Sequence, residues 1–401
     1  MSQAQREDLE KALLELADAL ANLGNRVNTA EAAVTELGSL RKARIVGGLT
    51  WYLEAYHGIL PWPSPVDKHQ EEVQASLAGG SIPGVRQIAS LKIDARLADS
   101  GFHLGLRNYG FWGVDGYSTA SYGVATFPRD PLSIEELYAT FPWRSGDLII
   151  GRQYFTLGPL GLLSDLSPRV DEGLSFPLEL VRLDLTAGAP AFRNTLAVGR
   201  LNTEYYPNTN YVYRSDEYAA LRLEKALGSW TAGFNLLASG FEMEEGASLD
   251  LSGLVLNRRL VAEIAGYTRQ HGERWGVGGV ARWPLWDAPP GKLDLTIGTF
   301  PPDFDPHYSA ISPGNSMRFL PGHTGYDLLL TRQLPGDWRF SLEHLGLYRR
   351  LGDGIPEPVS ESEIGISRSL STALHLSLQY RRFSGDDGTF GRFRTVLSYD
   401  F

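Results

Sequence analysis

Cysteine is absent from the 401 residues, which removes disulfides, thiolate metal sites and cysteine nucleophiles together. No run of eighteen apolar residues exists, so no segment reads as a membrane-crossing helix. Basic residues are in deficit, 37 Lys and Arg against 47 Asp and Glu, and the net charge of -10 makes nucleic acid a poor partner. Catalytic signatures are missing too. The chain has no GxSxG elbow and no GxxxxGK[ST] phosphate loop, and none of its 8 His residues has the HExxH spacing. Gly276-Val-Gly-Gly279 lies inside a strand pattern, where small residues at a curved wall explain it better than nucleotide binding. Nothing here supplies a nucleophile with its base, so no enzyme is expected. Repeats of fixed length are also lacking, which argues against propellers and solenoids.

What the chain does have is alternation. In the last eleven residues, Phe393, Thr395, Leu397, Tyr399 and Phe401 share one face of an extended strand. Arg392, Arg394, Ser398 and Asp400 share the other with Val396. Apolar outside, charged inside and aromatic at the end is what a transmembrane β-barrel strand needs, since lipid meets one face and water the other. The same alternation recurs at Ala89–Leu97, Leu293–Ile297 and Leu374–Tyr380, whereas 147–156 and 175–187 alternate poorly. Alternating strands keep the mean hydropathy low, at -0.19. The 11% aromatic content, with 18 Tyr and 9 Trp, suits interfacial girdles.

After Arg41-Lys42 this period-2 pattern predicts eighteen strands, with sixteen the next choice. Short connections at 99–100, 144–146, 188–190, 227–228, 258, 334–336 and 370–371 alternate with long ones at 58–85, 113–131, 157–174, 204–214 and 301–322. Barrels place short turns on the periplasmic side and long loops outside, and an even strand count returns both chain ends to the periplasm. The predicted fold is an all-β transmembrane antiparallel barrel over 43–401, preceded by an α-helical coiled coil over 1–42.

The helix is predicted from a heptad seam. Leu9, Leu13, Leu16, Leu20, Leu23, Val27, Ala30, Val34 and Leu37 alternate steps of four and three without a slip. A globular surface helix has a wider stripe, so the seam points to self-association. Small flanking residues at Ala12, Ala17, Ala19 and Ala33 favour three strands or more, and a homotrimer is expected. Met1 leads straight into this helix with no apolar signal segment. An outer-membrane protein needs one, so upstream sequence is expected to have been removed.

A heptad helix followed by a large barrel ending in Phe401, together with the segment Gly151-Arg-Gln-Tyr-Phe-Thr-Leu-Gly-Pro-Leu-Gly-Leu-Leu-Ser-Asp165, resembles the tethered outer-membrane porins of the Deinococcus–Thermus type. That resemblance implies an S-layer-homology domain upstream, missing here, that binds cell-wall polymer. It also implies a coiled coil in the periplasm and a trimeric barrel in outer-membrane lipid. The function it implies is passive diffusion of ions and small hydrophilic solutes. The alternative is a structural envelope connector with a closed or plugged barrel.

Inward strand positions supply the candidate pore lining: Lys92, Asp94, Arg96, Arg107, Arg222, Arg282, Arg339, Arg381, Arg392 and Arg394. Such charges set ion preference in a hydrated pore, or else pair into a network that stabilises the wall. The loop 157–174 combines Gly158, Pro159 and Gly161 with apolar Leu160, Leu162 and Leu163, then Asp165, Arg169, Asp171 and Glu172. Apolar residues there need burial, so the loop is expected either to fold into the lumen as a constriction or to pack over the barrel mouth or a neighbouring subunit. No cofactor is expected. Asp303 and Asp305 are close enough to hold Ca²⁺ with backbone carbonyls, but a solvated loop tip is the preferred account.

Overall fold

The computed structural model describes residues 42–58, 84–97, 99–112, 133–165, 177–186, 192–202, 215–240, 244–269, 272, 274–304, 319, 322–349, 357–385 and 388–401. The heptad seam lies outside these residues, and Lys42 already belongs to the first strand.

Period 2 after residue 42 produces strands throughout. The chain forms β1 (Lys42–Gly58), β2 (Gly84–Leu97), β3 (Ser100–Trp112), β4 (Ser133–Trp143) and β5 (Gly146–Gln153). A hairpin of two-residue strands, β6 (Thr156–Leu157) and β7 (Ser164–Asp165), then leaves the wall. The wall resumes with β8 (Leu178–Thr186), β9 (Phe192–Asn202), β10 (Ser215–Leu227), β11 (Trp230–Ser239), β12 (Glu244–Val255) and β13 (Arg258–Arg269). It ends with β14 (Arg274–Ala288), β15 (Gly291–Thr299), β16 (His323–Leu334), β17 (Trp338–Arg349), β18 (Glu357–Ser369), β19 (Leu374–Gly385) and β20 (Gly388–Asp400).

Every wall strand pairs antiparallel with its sequence neighbour, β5 pairs directly with β8, and β1 pairs with both β2 and β20. The 18-stranded sheet is therefore closed, which removes every unpaired edge. At the seam Gly47 and Phe401 exchange backbone hydrogen bonds of 2.8 and 2.9 Å.

Short connections gather at one end, including Leu97–Ser100, Trp143–Gly146, Leu227–Trp230 and Leu334–Trp338. Left-handed residues close several of them: Arg144, Gly228, Gly336 and Asp337 all have positive φ. The turn expected at Arg258 is instead centred on Leu256–Asn257, both with positive φ, as a two-residue hairpin loop requires.

The outer face is an apolar belt. Leu196, Val198, Leu236, Leu249, Leu251, Ile264, Val277, Ile297, Leu342, Ile364 and Phe393 are all exposed there. Burying such residues against hydrocarbon rather than water stabilises each by about 1.5–3 kcal/mol. The buried residues lie on the opposite, inner face. There Leu237, Ala265, Tyr267, Phe300, Phe304 and Phe319 form one cluster with residues of the loop after β5.

Candidate functional site

Three arrangements line the inner face. The first begins where the chain leaves β5. Phe155, Leu157, Leu160, Leu162 and Leu163 turn inward and are buried together with Tyr218, Ala220, Leu237 and Ala265 from β10, β11 and β13. Phe155 meets Tyr218 edge-on at 6.1 Å, and the Tyr218 hydroxyl donates to Ser164 Oγ at 2.9 Å. β8 to β13 spans five strand spacings, so the segment crosses roughly 24 Å of inner wall.

A polar relay fixes its far end. Glu263 on β13 accepts from the Leu160 backbone N–H at 3.1 Å and from Ser248 Oγ at 2.8 Å. Ser248 in turn accepts from Asn235 Nδ2 at 2.9 Å, which also reaches Asp250 at 2.9 Å. Arg222 closes the relay with hydrogen bonds to Asn235 at 2.8 Å, Asp250 at 2.6 Å and Glu224 at 2.8 Å. Gly158, with φ +84°, is required here, because a Cβ would sit 2.8 Å from the Glu263 carboxylate. The contacts run unbroken from Arg222 to the Leu160 amide, and a buried polar network linked in this way rigidifies the wall it joins.

The second arrangement is aromatic. Phe300 lies tilted between Phe304 and Phe319, with ring centroids at 5.6 and 5.7 Å, and Tyr267 meets Phe304 at 6.1 Å. The rings rest on glycines of β14 and β15. A Cβ on Gly278 would lie 2.6 Å from Phe300, and one on Gly298 would lie 2.8 Å from it. The small residues of 276–279 thus make room for a loop on the inner wall. Asp303 is exposed beside Phe304, and Asp305 is outside the described residues. Among the described residues no group of three or more His, Asp or Glu is placed to share a metal ion.

The third is ionic and faces the first across the barrel. Arg381, Arg392 and Arg394 on β19 and β20 are buried on the inner face, six to eight strands from Asp250 and Glu263 on β12 and β13 in the eighteen-strand circuit. Arg381 bridges Glu361 at 3.0 Å and Glu363 at 2.5 Å, and Arg394 lies over the Tyr52 ring at 5.4 Å. On the neighbouring wall, Arg107 pairs with Glu135 at 3.1 Å and Lys92 with Glu136 at 3.6 Å. Arg269 reaches Glu244 at 3.2 Å.

All ten of the residues expected to line the lumen therefore fall on the inner face. Lys92, Asp94, Arg96, Arg282 and Arg339 are exposed to the lumen, with Asp94 bonded to His103 and Arg282 reaching Thr296 Oγ1 at 3.4 Å. Arg107, Arg222 and Arg381 are tied into ion pairs. Of the four loop charges, Asp165 is buried and accepts from Thr156 Oγ1 at 3.0 Å across the β6–β7 hairpin. Arg169, Asp171 and Glu172 lie outside the described residues, as do the seam residues Leu9 to Leu37.

Asn235, Ser248 and Asp250 were not singled out in the sequence. The parity that marks Leu249 and Leu251 as outward also marks Ser248 and Asp250 as inward. The pair Glu135–Glu136 had no such signal, because a β-bulge between Gly105 and Leu106 of β3 and Ile134–Glu136 of β4 turns both inward.

No family model matches the chain, and neither does any curated protein. Solved structures do match in fold. Pseudomonas aeruginosa OccK3 (OpdO) is 12% identical with a TM-score of 0.62, covering 91% of this chain and 97% of that one. P. aeruginosa OccK2 (OpdF), in complex with glucuronate, is 13% identical with a TM-score of 0.61 over 90% and 98%. P. aeruginosa OpdK with vanillate is 10% identical with a TM-score of 0.59 over 89% and 98%. The likeness is one of architecture: a closed barrel of similar length.

Proposed function

We propose that the chain is an outer-membrane porin through which ions and small hydrophilic solutes diffuse passively. One observation carries this reading: a closed barrel has an apolar belt outside and charged side chains inside, several of them exposed. A closed wall satisfies its backbone in lipid, and lumen charges such as Lys92, Asp94, Arg96, Arg282 and Arg339 favour hydrated solutes over apolar ones. Vanillate and glucuronate, held by two barrels of like fold, suggest the solute size, a single-ring acid or a single sugar acid.

The segment 154–165 is the proposed constriction. Its apolar side chains are packed on the β10–β13 wall, facing the Arg381–Arg392–Arg394 wall, and the field between the walls orders water and polar solutes. The heptad seam is proposed as a periplasmic trimeric coiled coil leading into β1, with wall attachment through an upstream domain.

The connector reading keeps one supporting observation. Phe300, Phe304, Phe319 and the Leu157–Leu163 group occupy inner-wall space and are the kind of packing that plugs a barrel. Conductance separates the two. Refolded protein in a planar bilayer should give discrete ion-conducting steps, and deletion of 160–170 should enlarge them. A folded barrel with no steps in either form sinks the porin reading and leaves the connector.

A further inference from the structure

His103 occupies an unusual position on the inner wall. It projects from β3 between Asp94 of β2 and Glu136 of β4, with Nδ1 2.5 Å from Asp94 Oδ1 and Nε2 3.2 Å from Glu136 Oε2. The ring stacks on Tyr138 at 4.7 Å and 19°. The bulge described above creates this site. By inserting Glu135, it lets that residue pair with Arg107 and leaves Glu136 free to reach the imidazole. Gly105 gives the carboxylate room, since a Cβ there would lie 3.2 Å from Glu136.

A neutral imidazole carries one N–H and can donate to one carboxylate only. With a carboxylate oxygen at each nitrogen, the geometry is that of an imidazolium donating twice. Lys92 and Asp94 face it from β2, Glu136 and Tyr138 from β4, and Arg44 stands across from Asp94 on β1. Lys92 and His103 then balance Asp94 and Glu136. Lumen water reaches the group, because the side chains of Lys92 and Asp94 are 50% and 56% exposed.

We propose that His103 is a selectivity-setting residue of the pore: protonated, it neutralises the Asp94–Glu136 wall, and on losing its proton it leaves that wall one positive charge poorer, so that the pore favours cations more as pH rises. This rests on the porin reading. His103 lies three residues from the short β2–β3 turn, about 10 Å into the lumen at most. One charge about 10 Å from a passing ion, weakly screened at low ionic strength, changes the cation-to-anion permeability ratio by about twofold.

The test is the reversal potential of the full-length protein in a KCl gradient at low ionic strength, read from pH 5 to pH 9. The wild-type potassium-to-chloride ratio should rise by about twofold across that range. His103→Gln should show the wild-type alkaline ratio already at acid pH. His103→Lys should hold the acid ratio throughout. His375, which faces Asp400 at 3.8 Å near the periplasmic end, is the control, and His375→Gln should keep the wild-type rise. A His103→Gln channel that follows the wild type at every pH overturns the proposal. If His103→Gln does not fold, His103→Lys decides by the same comparison. Absence of conductance in the wild type refutes the porin reading and takes this proposal with it.

Discussion

Replacing Glu263 by alanine should loosen the inner segment without releasing it. The carboxylate is buried and accepts from the Leu160 N–H and from Ser248 Oγ. Each hydrogen bond to a charged group contributes roughly 1.5–3 kcal/mol, and a buried N–H left without a partner costs about 1–3 kcal/mol. Loss of the latch should therefore weaken docking by about 2–4 kcal/mol after partial relaxation. Against it stand Phe155, Leu157, Leu160, Leu162 and Leu163, all buried. At about 1.5–3 kcal/mol each, they supply roughly 8–15 kcal/mol. The apolar term wins, so the segment stays docked most of the time. Its undocked population should nevertheless rise about 30- to 1,000-fold, at 1.4 kcal/mol per factor of ten. In single-channel records, Glu263→Ala should keep the wild-type main level and add frequent brief excursions to a larger one. Glu263→Gln retains an acceptor for the Leu160 N–H and should show fewer. A folded Glu263→Ala channel with wild-type current noise would refute the view that this carboxylate holds the segment.

Three further outcomes are expected. Arg222→Ala strands Asp250 and Glu224 without their counter-ion and should destabilise the barrel by about 3 kcal/mol, read as a lower temperature for the heat-induced gel shift. Gly278→Leu drives a side chain into Phe300 and Phe304 and should make the chain at Phe300–Phe304 open to protease while leaving the barrel folded. Leu16→Asp with Leu20→Asp would bury carboxylates in the proposed seam, and chemical cross-linking of the full chain should then yield monomer in place of trimer.

Strand number and facing were legible because one face of most strands meets a uniform exterior and the other meets water. Phe393 and Tyr399 are exposed outside, while Arg392 and Arg394 are inside, 4% and 2% exposed. The stretches 147–156 and 175–187 alternate poorly for a reason visible in β8. Its inward Leu178 and Leu180 lie under the 154–165 segment, so both faces are apolar and period 2 is lost. The turn at Leu256–Asn257 lacked a glycine, leaving Asn257 as its only signal. The relay through Asn235, Ser248, Asp250 and Glu263 joins four residues from three strands to one loop amide. Each is readable as inward, but their meeting depends on where that loop docks, which no local pattern states. The hairpin of β6 and β7, which gives Asp165 its partner, is two residues long on each side and falls below any periodicity.

The seam between β1 and β20 has a consequence for assembly. Every other wall pairing joins strands that follow one another, so the sheet can zip outward from local hairpins. Among the described strands only β1 and β20 meet across the whole chain, their outermost pair, Gly47 and Phe401, being 354 positions apart (401 minus 47). Loop-closure entropy grows as the logarithm of that separation, so this last contact costs about 2.5 kcal/mol more than closing a twenty-residue hairpin. The curved sheet must therefore be held half-finished, with two open edges, until β20 arrives. A side chain at Gly47 would collide with the Phe401 ring, so damage at this position should delay completion while leaving the hairpins intact. The open edges of that intermediate present unpaired backbone groups, a template for any strand that reaches them first.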